Sequence, residues 1–168
     1  MAIMKIISSG TLGAESAALD VAIRFNVSYG GYTNQGSLMP GDRPAGRYTL
    51  DEKPFVNPMV LLRANLERSD GILIFSSGPV PPKVSPILPY VVDQNHPYLH
   101  IDFSVVKPHP AAFQIGTWVA THALSSLFIT GTSIHEDRGI YQLVHDALTS
   151  FFMLGTDPPM PPSDRTLH

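Results

Sequence analysis

Short apolar runs that alternate with helical segments constrain this chain more than any other feature of its sequence. Three runs, at residues 3–7, 71–75 and 127–130, are rich in isoleucine, leucine and phenylalanine, and each is followed by serine or glycine. They lack the polar alternation of a strand with one wetted face, so they predict strands buried on both sides. Because helical patterns lie between them, we expect a parallel sheet covered on both faces.

Helices are predicted where apolar residues recur every three or four positions. The segments are 14–25, 57–67, 111–123 and 139–154, and the second begins with Asn57 and Pro58, a good cap and first residue. Residues 84–94 are ambiguous, since Pro89 removes an amide from the second turn. Residues 27–32 and 98–103 predict further strands, and the polar stretch 33–58 predicts a long functional loop.

The length of 168 residues suits one domain. We therefore predict a three-layer, doubly wound, Rossmann-like α/β domain with a mainly parallel sheet over residues 1–154. The proline-rich residues 155–168 predict an extended tail.

Composition excludes several classes of site. The absence of cysteine removes disulfides, thiolate metal sites and cysteine nucleophiles, and the seven histidines show no metal-binding spacing, so no metal site is expected. A net charge of −3 argues against nucleic acid as a partner. No leader or membrane-spanning run is evident, so we expect a cytoplasmic protein without membrane contact.

Candidate binding residues follow the predicted strands, since ligands of such folds lie at the carboxyl ends of the strands. The first segment could hold an anion through free amides at a helix start, although a tight turn that needs glycine explains it equally well. Glu15, in the first turn of that helix, would repel the anion. The second and third segments could be surface turns instead. The candidates are Ser9, Gly10, Thr11, Leu12, Gly13 and Ala14, then Asn34 and Gly36, then Ser76, Ser77, Gly78 and Lys83, with Gly131 after the last strand.

Four blocks, in order, resemble the molybdenum carrier family. They read SGTLGAESAALD at 9–20, GGYTNQGS at 30–37, RYTLDE at 47–52 and RANLERSDG at 63–71. This family is a branch of the Rossmann-like superfamily that holds DNA-processing protein A and the Lonely Guy phosphoribohydrolases. Where the family carries cations, this chain has Ser16, Gln35 and Ser37, so Lys83, Arg47 and Arg63 are the cations left to contact an anion.

The resemblance implies a protein that binds a small anionic ligand at the strand ends. That ligand would be a nucleotide, molybdate or the molybdenum cofactor, and we expect binding rather than catalysis. Two alternatives stay open. One is a phosphoribohydrolase-like enzyme acting on nucleoside monophosphates. The other is a degenerate member that acts as a homodimer through its apolar last helix and its proline-rich tail.

Overall fold

A parallel five-stranded sheet forms the centre of the computed structural model, which describes residues 3–34, 48–54 and 57–156. The strands are β1 (Lys5–Ile7), β2 (Ser28–Gly30), β3 (Tyr32–Asn34), β4 (Asp51–Lys53), β5 (Gly71–Ser76), β6 (Tyr98–Asp102) and β7 (Ser126–Gly131). Their order in the main sheet is β2-β1-β7-β5-β6, with every pair parallel. The strands β3 and β4 form a separate two-stranded sheet.

Helices cover both faces of the main sheet. They are α1 (Ala14–Arg24), α2 (Pro58–Leu66), a 3-10 helix (Ser85–Ile87), α3 (Leu88–Asp93), α4 (Pro108–His122) and α5 (Ile140–Thr156). In β5, Leu73 and Phe75 point to the core beneath α1, α4 and α5, whereas Ile72 and Ile74 point to the core beneath α2 and α3. Both faces of β5 are buried, so the predicted three-layer, Rossmann-like fold is confirmed. No helix within the described ranges combines the length and apolarity needed to cross a bilayer.

The apolar stripe of α5 packs inside the domain. Val144 and Ala147 have no exposed surface, and the stripe contacts α1 and α4. Phe152 stacks on Phe25, which follows α1, with ring centroids 5.7 Å apart. This stripe was the predicted surface for dimerisation, but its residues are buried in the core of the domain. The homodimer itself stays a prediction.

The chain breaks where one strand was expected at residues 27–32. Gly31 has φ 136°, and a Cβ there would lie 2.2 Å from the carbonyl oxygen of Ser8. Its close approach to β1 separates β2 from β3. The polar stretch after residue 33 also contains β4, which has no apolar pattern by which sequence could reveal it.

Proline sets the starts of three helices. Asn57 caps α2 as predicted, accepting the Val60 amide at 3.1 Å. The ambiguous segment is a 3-10 turn that leads into α3, as the missing Pro89 amide requires. Helix α4 begins at Pro108, three residues before the predicted start, because amides in a first turn need no helical partner. Helix α5 continues to Thr156, two residues into the predicted tail of 155–168, and the rest of that tail lies outside the described residues.

Candidate functional site

A small cavity opens at the carboxyl ends of β1 and β7. Its volume is about 100 Å³. The polar wall comes from the loop after β1, from α1 and from β7, while α2 and the loop after β5 supply an apolar wall and one lysine. The lining residues are Ser9, Thr11, Glu15, Pro58, Leu61, Leu62, Lys83, Val84 and Thr130. The topology thus brings the first and third predicted segments together, through Ser9, Thr11 and Lys83.

Glu15 is the charged group of the polar wall. Its side chain is 8% exposed, and each carboxylate oxygen accepts one hydrogen bond. The amide of Thr11 donates to Oε1 at 3.1 Å, and the hydroxyl of Thr130 donates to Oε2 at 2.8 Å. A carboxylate has about four acceptor positions, so two remain for donors from a ligand.

The amides of the first loop already have partners within the protein. Gly10 donates to Ser8 Oγ at 3.1 Å and Gly13 to Ser16 Oγ at 3.0 Å, while Ala14 donates to the carbonyl of Thr132. With Thr11 bound to Glu15, four of the amides expected to face a ligand are occupied. The expectation of a free-amide cradle is therefore wrong at these positions. Gly13 is needed for another reason, because a Cβ there would lie 2.7 Å from the Thr132 carbonyl oxygen.

Asn65 holds Ser9 in the cavity wall. It is fully buried, and its Oδ1 accepts the Tyr32 amide at 2.7 Å. Its Nδ2 donates to the Tyr32 carbonyl at 3.1 Å and to Ser9 Oγ at 2.9 Å. One side chain therefore joins α2, β3 and the loop after β1.

The loop after β5 is also internally bonded. Asp102 accepts the Gly78 amide at 2.6 Å, and the Ser76 hydroxyl donates to the Gly78 carbonyl at 2.6 Å. His100 Nε2 lies 2.7 Å from Ser76 Oγ, so with that hydroxyl's proton engaged the imidazole donates. Burial lowers the pKa of His100, while the hydroxyl of Ser104 and the Gly78 amide lower the pKa of Asp102. Of Ser76, Ser77 and Gly78, Ser77 is the exposed residue.

Lys83 is the cation among the described residues that line the cavity. Its side chain is 45% exposed, and its Nζ lies 3.9 Å from Glu136 Oε1, a separation that leaves the ammonium able to contact a ligand. Gly131, by contrast, owes its identity to packing. Its φ is 155°, and a Cβ would lie 2.1 Å from the Phe75 carbonyl oxygen.

The remaining candidates among the described residues do not line the cavity. The backbone of Leu12 accepts the Ile134 amide, and Asn34 ends β3. Arg63 lies over the ring of Tyr90, 4.0 Å from its centroid. Gly36 and Arg47, with Gln35 and Ser37, lie outside the described residues. Among the described residues, no three acidic or histidine side chains converge as a metal site.

Sequence reasoning missed the acceptor side of the cavity. Glu15 was considered only as a source of repulsion, and Thr130 only as the end of a strand. Leu61 and Leu62 belong to an apolar helix stripe, which looks the same whether it lines a core or a ligand cavity. A signal for Glu15 did exist, since it lies in the first turn of the helix that follows the first loop.

Comparison with known proteins agrees with this architecture. The model of the circularly permutated YpsA SLOG family matches residues 6–152. The crystal structure of the putative molybdenum carrier protein from Syntrophus aciditrophicus SB is similar, with 36% identity and a TM-score of 0.83, covering 89% of this chain and 95% of that one. Comparison with curated proteins gives no match. The match covers most of the chain and both halves of the sheet, so the chain belongs to the circularly permutated YpsA SLOG family.

Proposed function

We propose that the chain binds a small molecule that carries both an anionic group and hydroxyl groups, of which a nucleoside monophosphate is the simplest example. The observation that carries this proposal is the pairing of two opposite charges in one cavity, the buried Glu15 carboxylate and the half-exposed Lys83 ammonium. The carboxylate suits hydroxyl donors, and the ammonium suits a phosphate. The carboxyl ends of the strands are where such folds bind ligands.

A bare oxyanion fits these walls less well. The relative from Syntrophus aciditrophicus is described as a molybdenum carrier. Molybdate is a dianion without donors at neutral pH, and here it would lie against the Glu15 carboxylate with the loop amides already occupied. Like charges brought together at a partly buried site repel one another. The residues present therefore favour a nucleotide or a hydroxyl-bearing cofactor over molybdate.

The cavity size limits what it can hold. Its volume of about 100 Å³ exceeds the roughly 30 Å³ share of one water molecule. It is well below the roughly 300–1,000 Å³ of sites that enclose a whole drug-sized ligand. It therefore accommodates one part of a ligand, the part that Glu15 and Lys83 contact, and the remainder extends beyond the mouth.

Exchanging Glu15 for glutamine separates the ligand classes. Glu15→Gln keeps the size and one acceptor but removes the charge, so affinity for adenosine monophosphate should fall while affinity for molybdate should rise. Isothermal titration of both ligands measures this, with Glu67→Gln as the matched control outside the cavity. Tighter molybdate than nucleotide binding by the wild-type protein would contradict the proposal.

Exchanging Lys83 tests the anionic end. A charge-assisted hydrogen bond contributes roughly 1.5–3 kcal/mol, so Lys83→Gln should weaken the nucleotide by about tenfold or more. Adenosine, which lacks the phosphate, should bind both proteins alike. Lys107→Gln, an exposed lysine before α4, is the matched control and should leave both affinities unchanged.

The Glu15→Gln variant also examines the enzymatic alternative. The Glu15 carboxylate favours that alternative because it could contact a ribose. Hydrolysis of adenosine monophosphate would consume one water and yield adenine and ribose 5-phosphate. Chromatography of the incubated nucleotide detects free adenine. Its appearance with wild type, and loss with Glu15→Gln, would establish hydrolysis in place of simple binding.

A further inference from the structure

We infer that Asn65 is a positioning residue that sets the Ser9 hydroxyl as a hydrogen-bond donor to the anionic part of the ligand. The inference rests on the proposed function and adds a residue that does not itself line the cavity. Its basis is a directional chain of hydrogen bonds from the Tyr32 backbone, through Asn65, to Ser9.

The orientation of the Asn65 amide is fixed by the backbone. An amide N–H can only donate, so the atom 2.7 Å from the Tyr32 nitrogen must be the side-chain oxygen. The nitrogen then faces the Tyr32 carbonyl and Ser9 Oγ, and both contacts, at 3.1 and 2.9 Å, have correct polarity. The reversed amide would place donor against donor at Tyr32 and acceptor against acceptor at its carbonyl.

This orientation settles what Ser9 can do. Its oxygen accepts from Asn65, so its single proton is not used in that bond. Ser9 is 5% exposed, and it lines the cavity together with Lys83. The hydroxyl proton therefore points to an acceptor in the cavity, and the phosphate assigned to Lys83 supplies one.

The burial of Asn65 explains why the arrangement holds. The Asn65 side chain has no exposed surface, so water cannot replace a hydrogen-bond partner that it loses. Rotation of the amide would break all three hydrogen bonds together. The side chain therefore holds one orientation. Because its amide always donates to Ser9 Oγ, the Ser9 proton stays available to a ligand.

A double-mutant cycle tests this role. Asn65→Asp keeps the acceptor for the Tyr32 amide but turns the donor toward Ser9 into an acceptor, which captures the Ser9 proton. Ser9→Ala removes the hydroxyl. Each single change should weaken adenosine monophosphate by about tenfold, and the double variant should be no weaker than either. Affinity for adenosine should stay within about twofold throughout, a selectivity that general damage to the fold would not produce.

Controls keep the outcomes separate. Asn95→Asp makes the same exchange at an exposed asparagine outside the cavity and should bind like wild type. If Asn65→Asp does not unfold cooperatively, Asn65→Ser removes the contact without burying a charge and enters the same cycle. Losses that multiply to about a hundredfold would overturn the role of Asn65 but leave the proposed function intact. A wild-type protein that binds no nucleotide would overturn both.

Discussion

Replacing Gly131 with alanine tests the packing at the end of β7. The added Cβ would lie 2.1 Å from the Phe75 carbonyl oxygen, whereas real contacts stay above 3.0 Å. The strands β5 and β7 must therefore separate by close to 1 Å where Phe75 pairs with Gly131. Overpacking costs about 1–3 kcal/mol, and a φ of 155° adds about 1–3 kcal/mol for a residue with a Cβ. The expected loss is about 2–6 kcal/mol, a large part of a typical total of about 5–15 kcal/mol.

Urea unfolding measures this loss. Trp118 is the single tryptophan, and at 8% exposure its fluorescence should report the transition. Gly116→Ala is the matched control, since this glycine lies within α4 and a Cβ there meets nothing within 4 Å. That control should gain about 0.5–1 kcal/mol. A Gly131→Ala protein within about 1 kcal/mol of wild type would refute the packing argument.

Two further changes test the fold. Ser125 and Ser126 donate to Asp70 and hold its pKa below the ordinary 3.8, so this carboxylate stabilises the fold above that pH and loses its effect as the pH falls through the lowered value. Asp70→Asn should therefore unfold at lower urea than wild type at pH 7, with a gap that shrinks in acid; a gap independent of pH would speak against this. Val144→Asp buries a charge where α5 packs into the core. It should prevent folding, which circular dichroism would detect as a loss of helical signal. A folded monomer would show instead that the stripe is an interface between copies.

The sequence was sufficient to predict the main sheet because a strand buried on both faces consists of consecutive apolar residues, a pattern that is visible locally. The strand β5 is apolar at five of its six positions, and both of its faces are covered. The short polar strand β4 has no apolar pattern, since its three residues are exposed and its pairing depends on β3. The break at Gly31 likewise depends on Ser8, a residue far away in sequence.

The candidate site was predicted less completely. Its position followed from the strand ends, and Ser9, Thr11 and Lys83 do meet there. Which amides are free depends on which side chains accept hydrogen bonds from them. No local sequence pattern predicts that Glu15 accepts from both Thr11 and Thr130. Hydrogen-bond partners across 115 residues are a property of the tertiary structure.

The position of β7 has a consequence for the growing chain. The strand β7, the last strand in the described part of the chain, lies between β1 and β5, so the pair β1–β2 and the pair β5–β6 share no neighbour until residues 126–131 emerge. On the ribosome, each pair keeps an open inner edge until β7 is made, and such edges can pair with other chains. Arrival of one six-residue strand closes both edges at once, so the main sheet cannot be completed before β7 is made.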